Sequence, residues 1–188
     1  MQILEQILSA NQIFTNNLSD KFLHYYAETS KMPKRQLAIF TCMDTRLVDF
    51  LEPAMGIKRG EAKVIKNAGN SVTGPFEATI RSLVVGIFEL DVKEVLVIGH
   101  LDCGVSNTSS QDLIHKMIAR GISADAIKMV EKELADWLDH FHHPVNNVKE
   151  VVSKIRSNPL IPKDVPIHGL MFNPHTGELK IVVNGYQE

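Results

Sequence analysis

Leu37-Ala38-Ile39-Phe40-Thr41-Cys42-Met43-Asp44-Thr45-Arg46 and Val95-Leu96-Val97-Ile98-Gly99-His100-Leu101-Asp102-Cys103-Gly104 are the two stretches on which the fold is read. Each opens with a short, unbroken apolar run that passes directly into polar residues, the pattern of a strand buried on both faces. Similar runs lie at 62–66, 167–172 and 179–183, and helical stretches separate most of them. The clearest helical stretch is 74–90, where Phe76, Ile80, Leu83, Val84, Ile87 and Phe88 recur at helical spacing. Strands alternating with helices imply an α/β fold with a mostly parallel sheet covered by helices on both faces. The link Asn173-Pro174-His175-Thr176-Gly177-Glu178 is too short for a crossover, so the last strand should run antiparallel to its neighbour. Five strands in the order 2-1-3-4-5 would make strands one and three neighbours where the winding reverses. Ligands collect in such sheets beyond the carboxyl ends of the strands.

Bulk properties narrow the class. The 188 residues, 44% of them apolar, fit a single domain that buries roughly 70% of its unfolded surface. Residues 1–33 read as an N-terminal helical arm with apolar positions at Ile3, Ile7, Ile13, Leu18, Phe22 and Tyr26, ended by Pro33. A net charge of −2 argues against nucleic acid or an anionic membrane as partner. No apolar run approaches the roughly 20 residues of a membrane span. The N-terminus has no basic segment of the kind that opens a signal peptide. Two cysteines without an export signal point to a reducing cytoplasm, and to metal binding or catalysis rather than a disulfide.

Both cysteines follow strands, and His100 precedes Cys103 in an H-x-x-C turn. Two thiolates and one imidazole suit Zn2+ and leave its fourth tetrahedral position open, as catalytic sites do. The plainer alternative is that Cys42 and Cys103 are small buried hydrophobes. Against it stand the charged residues that follow Cys42 and the placement of all three side chains at strand ends. A dithiol redox pair is a further alternative, but the cysteines lack the C-x-x-C spacing. A phosphate cradle is a competing reading of the loop Gly69-Asn70-Ser71-Val72-Thr73-Gly74, but it lacks the lysine of a Walker motif, and a glycine-rich strand-to-helix turn accounts for it. Residues 114–157 read as mostly helical, with Gly121 a stop and Ser123 a new N-cap. His140, His142 and His143, beside Phe141, read as solvated histidines at a helix end, with a second metal site or a proton shuttle as the alternatives. His24 and His115 are given no role.

Cys42-Met43-Asp44-Thr45-Arg46, Asn67-Ala68-Gly69 and Gly99-His100-Leu101-Asp102-Cys103-Gly104 together resemble the β-class carbonic anhydrases, in particular their short branch. The likeness runs from about Gln36 to Gly104, and again from His168-Gly169 through Thr176-Gly177-Glu178-Leu179. It implies zinc held by Cys42, His100 and Cys103, a homodimer or dimer of dimers, and reversible hydration of carbon dioxide to bicarbonate by zinc-bound hydroxide. It also implies that Asp44 and Arg46 form a dyad beside the metal, Asp44 becoming a ligand only in a closed form; the open form is the expectation here. Carbon disulfide or carbonyl sulfide hydrolysis on the same ligands, and a non-catalytic zinc protein retaining the fold, are the rival functions.

Overall fold

The computed structural model describes residues 2–20, 22–23, 30–141 and 143–187. His24, Tyr26 and His142 lie outside them. The chain divides into two compact units, Met1–Lys31 and Met32–Glu188. In the first, helix α1 (Ile3–Asn16) starts with the Gln2 N–H donating to the Glu5 carboxylate at 3.0 Å. It ends at Asn17, so Leu18 follows the helix instead of continuing its stripe. No residue of α1 is buried, and Ile3 is 75% exposed.

The second unit is built on one sheet of five strands, β1 (Leu37–Cys42), β2 (Ala62–Asn67), β3 (Glu94–His100), β4 (Ile167–Phe172) and β5 (Leu179–Val183), in the order β2-β1-β3-β4-β5. All pairs are parallel except β4–β5. This is the sheet expected from the sequence, with strand ends extended by a residue at Cys42, Asn67 and Glu94.

Alternation along the strands feeds two cores. On one face Ala38, Phe40, Val95 and Val97 pack with Ile80 and Leu83 of α3 (Ala78–Glu89) and with Val148, Val151, Val152 and Ile155 of α7 (Pro144–Ser157). Burying an aliphatic side chain of this size stabilises by roughly 1.5–3 kcal/mol. On the other face Leu37, Ile39, Leu96 and Ile98 pack with Leu47, with Leu51 of the short helix α2 (Leu51–Ala54) and with Phe172. This second core runs up to Cys42, Cys103 and Phe141.

Helix α3 is shorter than the 74–90 stretch because the Glu77 side chain caps it, accepting the Ile80 N–H at 3.2 Å. Phe76 precedes the helix and is exposed, as is Phe88 on its outer face. Helices α4 (Ser110–Ala119), α5 (Ala124–Lys128) and α6 (Glu131–Leu138) fill the span before α7. Gly121, at φ 87°, and Ser123, whose hydroxyl accepts the Ala126 N–H, form the expected stop and restart.

The approach of α7 to the sheet depends on glycine in β3. A β-carbon at Gly99 would lie 2.6 Å from Val148 Cγ2 and 3.1 Å from Met171 Sδ. Overpacking of this kind costs about 1–3 kcal/mol. Gly99→Ala should therefore lower the unfolding free energy by roughly that amount in a denaturant titration. An unchanged midpoint would show that α7 is free to shift away.

Candidate metal centre

Parallel pairing of β1 with β3 aligns Thr41 with Ile98, and the Thr41 hydroxyl donates to the Ile98 carbonyl at 2.8 Å. The two chains therefore leave the sheet side by side, one as Cys42-Met43-Asp44 and the other as His100-Leu101-Asp102-Cys103. Cys42, His100 and Cys103 converge there, with exposures of 4%, 1% and 2%. Their donor atoms all lie within 4.8 Å of one another, and the two sulfurs are 3.9 Å apart. Two sulfurs on a tetrahedral zinc, with Zn–S about 2.3 Å, stand about 3.8 Å apart. The triangle has the dimensions of the ion.

The imidazole is aimed. His100 Nδ1 lies 2.9 Å from the Leu101 carbonyl, which can only accept, so Nδ1 carries the proton and Nε2 keeps its lone pair. That buried Nε2 has no hydrogen-bond partner. A buried orphan acceptor costs free energy, and a metal ion would satisfy this one. The backbone carbonyl on Nδ1 is also the usual support for a metal-binding histidine.

Charge within the triangle favours thiolate. The Cys103 thiol hydrogen-bonds Cys42 and, against the effect of burial, His100 and the Gly69 and Asp44 amides add to it, bringing Cys42 down to about 4. The same bond and burial push Cys103 up. Burial opposes a charged His100, but the neighbouring negative charge of Cys42 outweighs it and raises the imidazole. As side chains alone the trio holds one thiolate, and a dication binding both sulfurs must displace the Cys103 proton.

The loop that supplies the Gly69 amide is rigidly held. Asn67 pairs with Cys42 across β1–β2, accepts the Ser71 N–H at 3.0 Å and donates to the Ser71 carbonyl at 2.8 Å. Gly69, at φ 69°, lies so close to Phe141 that a β-carbon would meet the ring at 3.0 Å. Asn147 donates to the Gly69 carbonyl, Trp137 to the Ser71 hydroxyl and Lys154 to the Val72 carbonyl. These contacts turn the loop into a wall of the centre, as befits a strand-to-helix turn rather than a phosphate cradle.

Asp44 and Arg46 stand beside the triangle. The Arg46 guanidinium grips Asp44 bidentately, Nε to Oδ1 at 3.0 Å and Nη2 to Oδ2 at 2.8 Å, and the Arg46 N–H adds a third bond to Oδ1 at 2.9 Å. Asp44 Oδ2 lies 3.7 Å from His100 Nε2. Asp44 thus faces the ligands while remaining paired with Arg46.

Two features of the neighbourhood were not read from the sequence. Asp102 binds Arg46 through both its carboxylate and its carbonyl, at 2.9 and 2.7 Å. Its position inside H-x-x-C was visible, but its direction depends on a left-handed backbone at φ 53°. Phe141 comes from a helical region whose path over the sheet has no periodic signature. Of the other histidines, His140 is exposed, with Nδ1 3.0 Å from the Asp136 carbonyl, and His143 is the exposed residue before α7. Among the described residues, Cys42, His100 and Cys103 form the one cluster able to hold a metal.

Comparison with known proteins agrees with this geometry. The family model described as carbonic anhydrase matches residues 37–179. The chain belongs to the β-carbonic anhydrase family. A solved β-carbonic anhydrase, isoform I of Trichomonas vaginalis, superposes with a TM-score of 0.90 at 43% identity, covering 99% of this chain and 100% of the other. The Bacillus subtilis protein YtiB, named provisionally as a carbonic anhydrase, is 42% identical over 190 residues, 99% of each chain. A carbon disulfide hydrolase of Acidianus is 28% identical over 161 residues, covering 78% of this chain and 76% of its own.

The grip of Arg46 on Asp44 has a pH signature. Its side-chain hydrogen bonds bring the Asp44 carboxyl down to about 2, against an ordinary value near 3.8. Because the folded value is the lower one, the pair's stabilisation is complete above the ordinary value and is lost as pH falls through about 2. In the metal-free protein the Asp44 carboxyl carbon should show no titration between pH 7 and about 3.5 by NMR. A midpoint near 3.9 would mean that Arg46 does not hold it.

Proposed function

We propose that this protein catalyses the reversible hydration of carbon dioxide to bicarbonate with zinc held by Cys42, His100 and Cys103. The observation that carries this reading is Asp44 gripped bidentately by Arg46 and set 3.7 Å from the orphaned His100 Nε2. A purely structural metal site has no use for such a dyad. Zinc bound there would supply Lewis acidity, making hydroxide available near neutral pH. Asp44, acceptor-only while ionised, takes the hydrogen bond of the attacking solvent and turns its free lone pair toward the carbon. Arg46 holds the carboxylate in plane through two side-chain hydrogen bonds, which supports the open form, with Asp44 off the ligand cluster. The overall reaction consumes water and carbon dioxide and yields bicarbonate and a proton.

Family membership and the likeness to the Trichomonas vaginalis and Bacillus subtilis proteins support the same reaction. Carbon disulfide hydrolysis is a second reading, favoured by the likeness to the Acidianus hydrolase, and a stopped-flow assay with both substrates separates the two. We place the protein in a reducing cytoplasm, where Cys42 and Cys103 would stay available as thiolates for a metal. Among the described residues no helix is long and apolar enough to cross a membrane.

Helix α1 supports a homodimer or dimer of dimers. Ile3, Leu4, Ile7 and Leu8 are each more than half exposed on a helix that buries nothing. Contiguous apolar surface of this kind marks an interaction site, and a second copy of the chain is the proposed partner. Sedimentation at micromolar concentration should give at least a dimer. A stable monomer contradicts the assembly, whereas a dimer that survives removal of residues 1–32 contradicts only the part of α1.

Cys42→Ser and Cys103→Ser should each lose most of their zinc by elemental analysis. Asp44→Asn should keep its zinc and lose about 10²–10⁴-fold in hydration rate, the usual contribution of a positioned base. Full zinc in both serine variants, or a wild-type rate in Asp44→Asn, would refute the respective roles.

A further inference from the structure

We infer that Asp102 is a positioning residue that fixes Arg46 and thereby keeps Asp44 off the metal ligands. The inference rests on the metal centre proposed above and adds a residue to which the Asp44–Arg46 dyad is anchored.

The geometry is specific. Arg46 spends Nε and one N–H of Nη2 on Asp44. Among the described residues its remaining directed contacts go to one residue, Nη1 to Asp102 Oδ2 at 2.9 Å and Nη2 to the Asp102 carbonyl at 2.7 Å. The guanidinium is therefore clamped between two strand-end loops, one carrying Cys42 and the other carrying His100 and Cys103. Asp102 reaches it from both backbone and side chain because its φ of 53° is left-handed, a conformation that Asp and Asn tolerate better than most residues. The Asp102 side chain is 67% exposed, so its charge alone contributes little; what it supplies is direction.

Direction matters because Asp44 Oδ2 is already 3.7 Å from His100 Nε2. A small rotation of an unrestrained carboxylate would carry it into the ligand triangle. Arg46 opposes that rotation only while its own plane is fixed, and apart from Asp44 itself Asp102 provides the hydrogen bonds that fix it.

The test uses Asp102→Gly, which removes the carboxylate but accepts a positive φ, and Asp102→Asn, which keeps an acceptor oxygen for Nη1. Each is loaded with cobalt(II), its metal content is measured, and thiocyanate is titrated while the visible spectrum reports coordination. Both variants should retain the metal. Asp102→Asn should bind thiocyanate within a few-fold of wild type. Asp102→Gly should bind it about 10–100-fold more weakly, the usual effect of removing a partner that orients a metal site, because Asp44 occupies the position. Adding Asp44→Asn to Asp102→Gly should restore the binding. Wild-type thiocyanate affinity in Asp102→Gly would overturn the inference, as would failure of the double variant to recover. Metal loss in Asp102→Gly would overturn it too, since Asp102 would then shape the ligand loop itself. If wild type binds cobalt and thiocyanate yet hydrates no carbon dioxide, the reaction assigned above fails while the role of Asp102 is still read.

Discussion

Register between β1 and β3 is the constraint on which everything else depends. Leu37 aligns with Glu94 and Thr41 with Ile98, and the Thr41 hydroxyl closes the ladder onto the Ile98 carbonyl. A one-residue slip would turn every side chain of β1 to the opposite face. Phe40 would leave the core it shares with Val97 and the α3 and α7 helices, and Cys42 would leave the sulfur of Cys103. The hydrophobic pattern that selects the register therefore also sets the metal-ligand geometry. Stability and site are specified by the same contacts.

From that register the centre follows by short steps. Parallel strands end on the same edge, so two loops far apart in sequence begin side by side. One brings Cys42 and the Asp44–Arg46 pair; the other brings His100, Asp102 and Cys103. A third, from β2, is braced by Asn67 and gives the Gly69 amide to Cys42. Helices α6 and α7 press on this third loop through Trp137, Asn147 and Lys154, and Phe141 in the link between them does the same. The consequence is a set of donors with little freedom, and such preorganisation is what a metal site and the groups beside it require.

The sheet was legible because continuous apolar runs between helical stretches leave few arrangements, and the six-residue link before Leu179 forces an antiparallel end. The ligand trio was legible because sulfur and imidazole at strand ends are rare and chemically specific. The extent of the N-terminal helix was less so. Leu18 keeps the apolar spacing of α1, yet the chain turns at Asn17, whose amide donates to the Ile13 carbonyl and ends the helix. Phe76 and Phe88 fit a helical face by spacing but are exposed, since Glu77 caps α3 after Phe76, and it is Ile80 and Leu83, not Phe88, that enter the core. Asp102 and Phe141 act through a backbone dihedral and a tertiary path, and neither is written in a local pattern.

The most direct test of a Cys42–His100–Cys103 centre is zinc K-edge X-ray absorption on the loaded full-length protein near neutral pH. The expected sphere has two sulfurs at about 2.3 Å and two lighter atoms, one imidazole nitrogen and one oxygen, at about 2.0–2.1 Å. A sphere without sulfur, or with a single sulfur, would contradict the convergence of β1 and β3 on one metal.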